Sequence, residues 1–112
     1  MRTSLTLKRA RSTLRTHAMA RLSDADIEQR LTGTPGWRLL DGAIEREWKL
    51  ANFKEAIEFV NEVGKLAEEA NHHPDIRLHG WNKVALTLST HSEGGLTEAD
   101  FKLAGRIDAL AP

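Results

Sequence analysis

Apolar and charged positions between residues 52 and 71 repeat with the period of a helix. Phe53, Ile57, Val60, Gly64 and Ala67 recur every three or four residues, and Glu55, Glu58, Glu62, Lys65 and Glu69 recur on the opposite side. Such a pattern predicts an amphipathic helix lying on a sheet, with the apolar set turned inward. Asn52 stands where an N-cap is needed and Glu55 occupies the third helical position, so the helix is expected to run to about Ala70. Gly64 on the inward face costs about 1 kcal/mol of helix propensity against Ala. Its place there implies close backbone approach.

The flanking segments read in the same way. In "LSDADIEQRL", Ser23 can cap, Asp26 completes a capping box, and Leu22 and Ile27 form a hydrophobic staple, which predicts a short helix from about Asp24 to Leu31. "WRLLDGAIEREWKL" predicts two strands joined at Asp41-Gly42, a dipeptide that tolerates the positive φ values of a tight hairpin. Ile44, Arg46, Trp48 and Leu50 share one face of the second strand, where Arg46 interrupts an otherwise apolar row and points to an edge or interface position. "DIRLHG" and "WNKVALTLSTH" predict two more strands, with Val84, Leu86 and Leu88 alternating against Ala85, Thr87 and Ser89. After Gly94-Gly95, Thr97 and Asp100 form a second capping box, followed by an inward stripe of Phe101, Ala104, Ile107 and Leu110. The order α-β-β-α-β-β-α predicts an α+β domain: a four-stranded antiparallel sheet with helices on one face. The other face, bearing Glu45, Glu47 and Thr87, is left to solvent or a partner subunit.

Composition narrows the function. A chain of 112 residues, 40% hydrophobic and without cysteine, supports one domain and excludes disulfides, thiolate nucleophiles and the usual cysteine zinc sites. Its net charge of zero hides an asymmetry: of 16 basic side chains five precede Met19, leaving 11 against 16 acidic ones in the domain. That acidic body does not invite nucleic acid. Residues 1–18 are basic, rich in Ser and Thr, and lack acids. They read as a disordered extension ahead of a domain spanning 19–112, open to three origins: a misassigned start, a basic arm or a transit peptide. No apolar run approaches the roughly 20 residues that span a bilayer. A cytoplasmic protein is expected, or a mitochondrial or plastid one if the extension is a targeting segment.

The candidate chemistry lies in "EEANHHPDIRLHGWNKVALTLSTHSEGGLTEAD". Pro74 forces His73 out of helical geometry, which places His72 and His73 at a helix C-terminus, where the dipole favours protonated imidazole. Glu68 lies one turn before His72. Histidine titrates near working pH, which suits acid–base catalysis. Metal binding would draw on His72, His73, His79 and His91, although adjacent histidines rarely share an ion and no i, i+4 pair is present. A third reading has the imidazoles merely capping helix carbonyls. Asp100 is explained by its capping box alone, and Trp81 fits either core packing or an aromatic wall for a planar ligand.

"EANHHPDI", "WNKVALTLSTH" and "GGLTEAD" together resemble the pterin-4a-carbinolamine dehydratases, a family that includes a dimerisation cofactor of a homeodomain transcription factor. The resemblance runs from about Leu22 to Leu110, and HHP followed by THxxxGLTxxD is its specific part. It implies dehydration of a 4a-hydroxytetrahydropterin in tetrahydrobiopterin recycling, with a small-molecule pterin substrate, no cofactor, no metal, and a homodimer or homotetramer. His72, His73 and His91 would be catalytic, His72 and His91 as the proton-transfer pair. Glu68, Pro74, Trp81, Thr90, Ser92, Glu93 and Asp100 would bind substrate, with Glu68 helping His73 to orient it. A non-catalytic interaction cofactor and a molybdopterin-related role are the alternatives. Ser92-Glu93 and a "DIRLHGW" longer by one residue depart from animal members.

Overall fold

The computed structural model describes residues 20–111, and the basic extension lies outside them. Ser23 opens the first helix, α1 (Asp24–Thr32), by accepting from the backbone NH of Asp26 at 3.2 Å. Leu22 and Ile27 both pack on the core. Two strands follow, β1 (Arg38–Leu39) and β2 (Ile44–Lys49). Between them Asp41 and Gly42 both have positive φ, 48° and 79°, and Leu40 and Ala43 exchange backbone hydrogen bonds of 2.7 and 3.2 Å. This is the two-residue turn whose twist matches a hairpin. An ion pair from Arg38 to Glu45 at 2.8 Å ties the short β1 to β2 and, with help from Thr87, holds the Glu45 carboxyl below its usual range.

The long helix α2 (Phe53–Ala70) begins at Asn52, whose side chain accepts from the Glu55 NH at 2.8 Å. It leads to β3 (Asp75–His79) and β4 (Lys83–Leu88), and α3 (Glu98–Leu110) ends the fold. The four strands form one antiparallel sheet in the order β1-β2-β4-β3. Ile44, Trp48, Val84, Leu86 and Leu88 face the helices and are buried with Phe59, Val63, Phe101, Leu103 and Ile107 in one core. The α+β class and the antiparallel sheet are those the sequence predicts. No helix among the described residues is long and apolar enough to cross a membrane.

Two expectations need correction. The inward stripe of α2 is Ala56, Phe59, Val63 and Ala67, whereas Phe53 and Ile57 are 53% and 39% exposed. The helix carries two apolar stripes one residue apart, and the aromatic cluster selects between them: Phe59 lies 5.1 Å from Trp48, which meets Trp37 edge-on at 5.6 Å. Gly64 therefore sits off the core, and a methyl group there would touch nothing within 4 Å. Its predicted close approach is absent within this chain.

Arg46, read as an edge or interface residue, stands opposite Leu86 at a stretch of β2 that β1 is too short to cover, and so at a local edge of the sheet. Its guanidinium spans the inner face, 4.9 Å from the centre of the Trp48 ring and 3.0 Å from Asp108 of α3, which also accepts from the Trp37 indole at 2.9 Å. Gly36 leaves room for it, since a Cβ at that position would displace the guanidinium.

Deleting residues 1–18 should leave the fold intact, since the Ser23 cap and the Leu22 NH to Leu96 carbonyl bond of 2.8 Å both remain. We expect a melting temperature within about 2 °C of the full chain in a thermal scan; a larger fall would mean that the extension packs on the domain.

Candidate active site

The end of α2 is shaped by backbone rather than by imidazole. Asn71 adopts the left-handed conformation at φ 51°, and its NH and that of His72 close the last turn on Glu68 and Ala67 carbonyls at 3.2 and 3.1 Å. With the carbonyls already served, the side chains are released for other partners. Pro74 then turns the chain into β3. The capping role weighed for the two histidines is thus taken by main-chain NH groups.

Each imidazole binds a carboxylate instead. His72 Nε2 lies 2.5 Å from Asp100 Oδ1, and its ring is only 13% exposed. His73 Nε2 lies 2.6 Å from Glu68 Oε2, in an exposed pair. Glu68 therefore meets the second histidine rather than the first.

Asp100 does two jobs at once. Its Oδ2 accepts from the Thr97 NH at 2.9 Å, completing the predicted capping box at the start of α3, and from the Thr90 hydroxyl at 2.8 Å. The carboxylate has no solvent exposure at all. A buried charge of this kind survives only when its lone pairs are filled, and a helix N-terminus adds a favourable dipole. The Thr97 hydroxyl, 2.9 Å from that of Thr90, belongs to the same buried cluster. The sequence marks Thr97 only as a cap, and nothing local signals its second contact.

Thr90 also fixes the third histidine. It pairs with Gly95 through two backbone bonds of 3.0 and 3.3 Å, and the intervening His91–Glu93 forms a single 3-10 turn. His91, Ser92 and Glu93 are exposed on this turn, while Pro74 is half-buried beside His73. The Asp100 cluster thus gathers the end of α2, the turn after β4 and the start of α3. No three His, Asp or Glu side chains among the described residues converge in metal-binding geometry.

Trp81 stands apart from this cluster. It lies in the β3–β4 turn with φ 59° and is 61% exposed. The length of β4, about 20 Å at 3.3 Å per residue, separates it from Thr90. It is not core, and within one chain it cannot wall a ligand held by the histidines.

The two carboxylates should respond differently to replacement. Asp100→Ala strands the Thr97 NH and removes the partner of the part-buried His72 ring, leaving the Thr90 hydroxyl only that of Thr97, and should lower unfolding free energy by about 2–3 kcal/mol. Glu68→Gln breaks an exposed pair and should change it by less than about 0.5 kcal/mol. Urea unfolding of both variants checks this; equal losses would contradict the description of Asp100 as the structural hub.

Comparison with known proteins meets this geometry. A family model described as pterin 4 alpha carbinolamine dehydratase matches residues 20–110. A relative from Chloroflexus aurantiacus is 51% identical over 92 residues, covering 82% of this chain and 98% of its own. Another from Picosynechococcus is 49% identical over 90 residues, covering 80% and 97%. Both are provisionally named for the same dehydratase. Among solved structures, a transcriptional coactivator/pterin dehydratase from Brucella melitensis superposes with a TM-score of 0.77 at 36% identity, covering 82% of this chain and 99% of that one. A pterin dehydratase-like protein identified as a RuBisCO assembly factor of the alpha-carboxysome gives 0.55 at 26% identity, with 67% and 86% covered. With nearly the whole described domain matched, the chain belongs to the pterin-4a-carbinolamine dehydratase family.

Proposed function

We propose that this chain dehydrates 4a-hydroxytetrahydrobiopterin to quinonoid dihydrobiopterin and water by histidine acid–base catalysis, and so recycles pterin for an aromatic amino acid hydroxylase. The observation that carries this is the pair of carboxylate-braced imidazoles, His72 on Asp100 and His73 on Glu68. His91 stands on a turn that Thr90 ties to the same Asp100.

The reaction breaks the C4a–O bond and removes the N5 proton, whose electrons form the C4a=N5 double bond while the hydroxyl leaves as water. One group must accept the N5 proton and another must protonate the leaving oxygen. Positioned acid–base groups of this kind contribute about 10²–10⁴-fold. His72 and His91 serve as the proton-transfer pair, with Asp100 fixing the direction of the His72 ring. His73 and Glu68 hold the pterin, and Pro74, Thr90, Ser92 and Glu93 complete its surroundings. No step requires a metal ion or a cofactor.

Self-association is part of the proposal. Phe53 and Ile57 lie exposed along α2, with Val60 half-buried beside them and open space in front of Gly64. A glycine that nothing approaches within its own chain fits a second copy laid against this stripe, as a homodimer or homotetramer. Ile57→Glu should shift sedimentation from oligomer to monomer at micromolar concentration without loss of helicity; a monomeric wild-type chain would refute the assembly.

A second reading, a protein-interaction module on the same fold, has the same exposed stripe in its favour, and both structural neighbours carry names that include partner-directed roles. The assay that separates the two follows decay of the 4a-hydroxypterin absorbance in a coupled hydroxylase reaction. The enzyme should accelerate it, and His72→Ala, His73→Ala and His91→Ala should each cut turnover by one to several powers of ten. Decay at the spontaneous rate with the wild-type chain would remove the enzyme reading.

A further inference from the structure

A cleft of about 970 Å³ is lined by His72 but by neither of the other two histidines. It lies between the C-terminal ends of α1 and α2 and one flank of α3, and neither His73, His91 nor Pro74 lines it. Its volume falls in the range of small-molecule sites. Its surface is mostly apolar, with Ala70 and Ala99 at the wall and the nearly buried Phe101 and Leu103 behind them.

Charge is distributed around it unevenly. Arg30 and Glu98 form a two-bond ion pair on one wall, and Arg106 reaches Glu69 at 2.7 Å on the other. Lys102 stands between them on α3, exposed and without an ion pair among the described residues. Three cations against two anions leave one positive charge facing the cleft.

Gly105 supplies the second signal. A glycine inside a helix costs about 1 kcal/mol against alanine. Neither packing nor backbone conformation demands it here: its φ is not positive, and a methyl group would meet nothing within 4 Å. What it does is leave the cleft wall open, one turn from Lys102.

We propose that this cleft is a second binding site, for a small organic monoanion with an apolar body. The carboxylate pairs with Lys102, and the body lies in front of Gly105 against the apolar wall. Because His72 lines the cleft, an occupant lies close to that ring. The site does not rest on the dehydratase reading, since the cleft excludes the other two histidines.

The test uses the full chain, labelled with ¹⁵N and titrated with 3-phenylpropionate in low salt, with no pterin present. Saturable shifts are expected at the amides of Gly33, Lys102, Gly105 and Arg106 and in the His72 ring. Gly105→Leu fills the open space with a better helix former and should abolish them. Lys102→Ala, a surface change that leaves the fold alone, should weaken binding about tenfold, as should replacing the probe by neutral 3-phenylpropanol. Shifts that do not saturate, shifts confined to His73, His91 or the Phe53–Ile57 stripe, or undiminished binding by both variants would each overturn the proposal. Binding is read without turnover, so a chain inactive as a dehydratase would still report on it.

Discussion

The buried carboxylate of Asp100 is the constraint on which the rest of the site depends. It has no solvent exposure, and its oxygens are occupied by His72, the Thr90 hydroxyl and the Thr97 NH. Removing an ion from water costs several kcal/mol, which only complete hydrogen bonding repays. Filling those lone pairs requires the end of α2, the turn after β4 and the first turn of α3 to meet at one point. The same bonds that make the fold tolerable to Asp100 also give the His72 ring its direction. The capping box uses Oδ2 and the His72 contact uses Oδ1, so this buried group braces the site rather than offering an oxygen to a substrate.

The frame that brings these elements together is plain. A sheet with one apolar face, closed by the Asp41-Gly42 turn at one hairpin, packs the aromatic cluster of Trp37, Trp48 and Phe59 under α2. That cluster sets the rotation of α2, which in turn sets where His72 and His73 emerge. It also leaves Phe53 and Ile57 outside the core. One choice of helix face thus fixes both the direction of the candidate catalytic groups and the apolar stripe available to another copy of the chain.

Much of this was legible in the sequence, and the failures have physical causes. Caps at Ser23, Asn52 and Thr97, the hairpin turn and the strand alternation are local signals, and they appear as predicted. The rotation of α2 was misjudged because two apolar stripes one residue apart carry the same period, and only contact with Trp48 distinguishes them. The partner of Arg46 was hidden because Asp108 lies on a helix far along the chain. His72 and His73 were visible as a pair, but not their partners: Asp100 comes from 28 residues away, and Glu68 prefers the more distant histidine. Trp81, an attractive aromatic in sequence, is carried by β4 to the other end of the sheet.

The proposed role of His72 requires that Asp100 accept from its Nε2–H, which leaves Nδ1 to exchange a proton. Long-range ¹H–¹⁵N correlation spectra of the imidazoles at a pH where His72 is neutral test it directly. The account predicts that His72 is the Nε2–H tautomer in the wild-type chain, with an unprotonated Nδ1. A His72 found as the Nδ1–H tautomer, or as a rapidly exchanging mixture like a free imidazole, would contradict it.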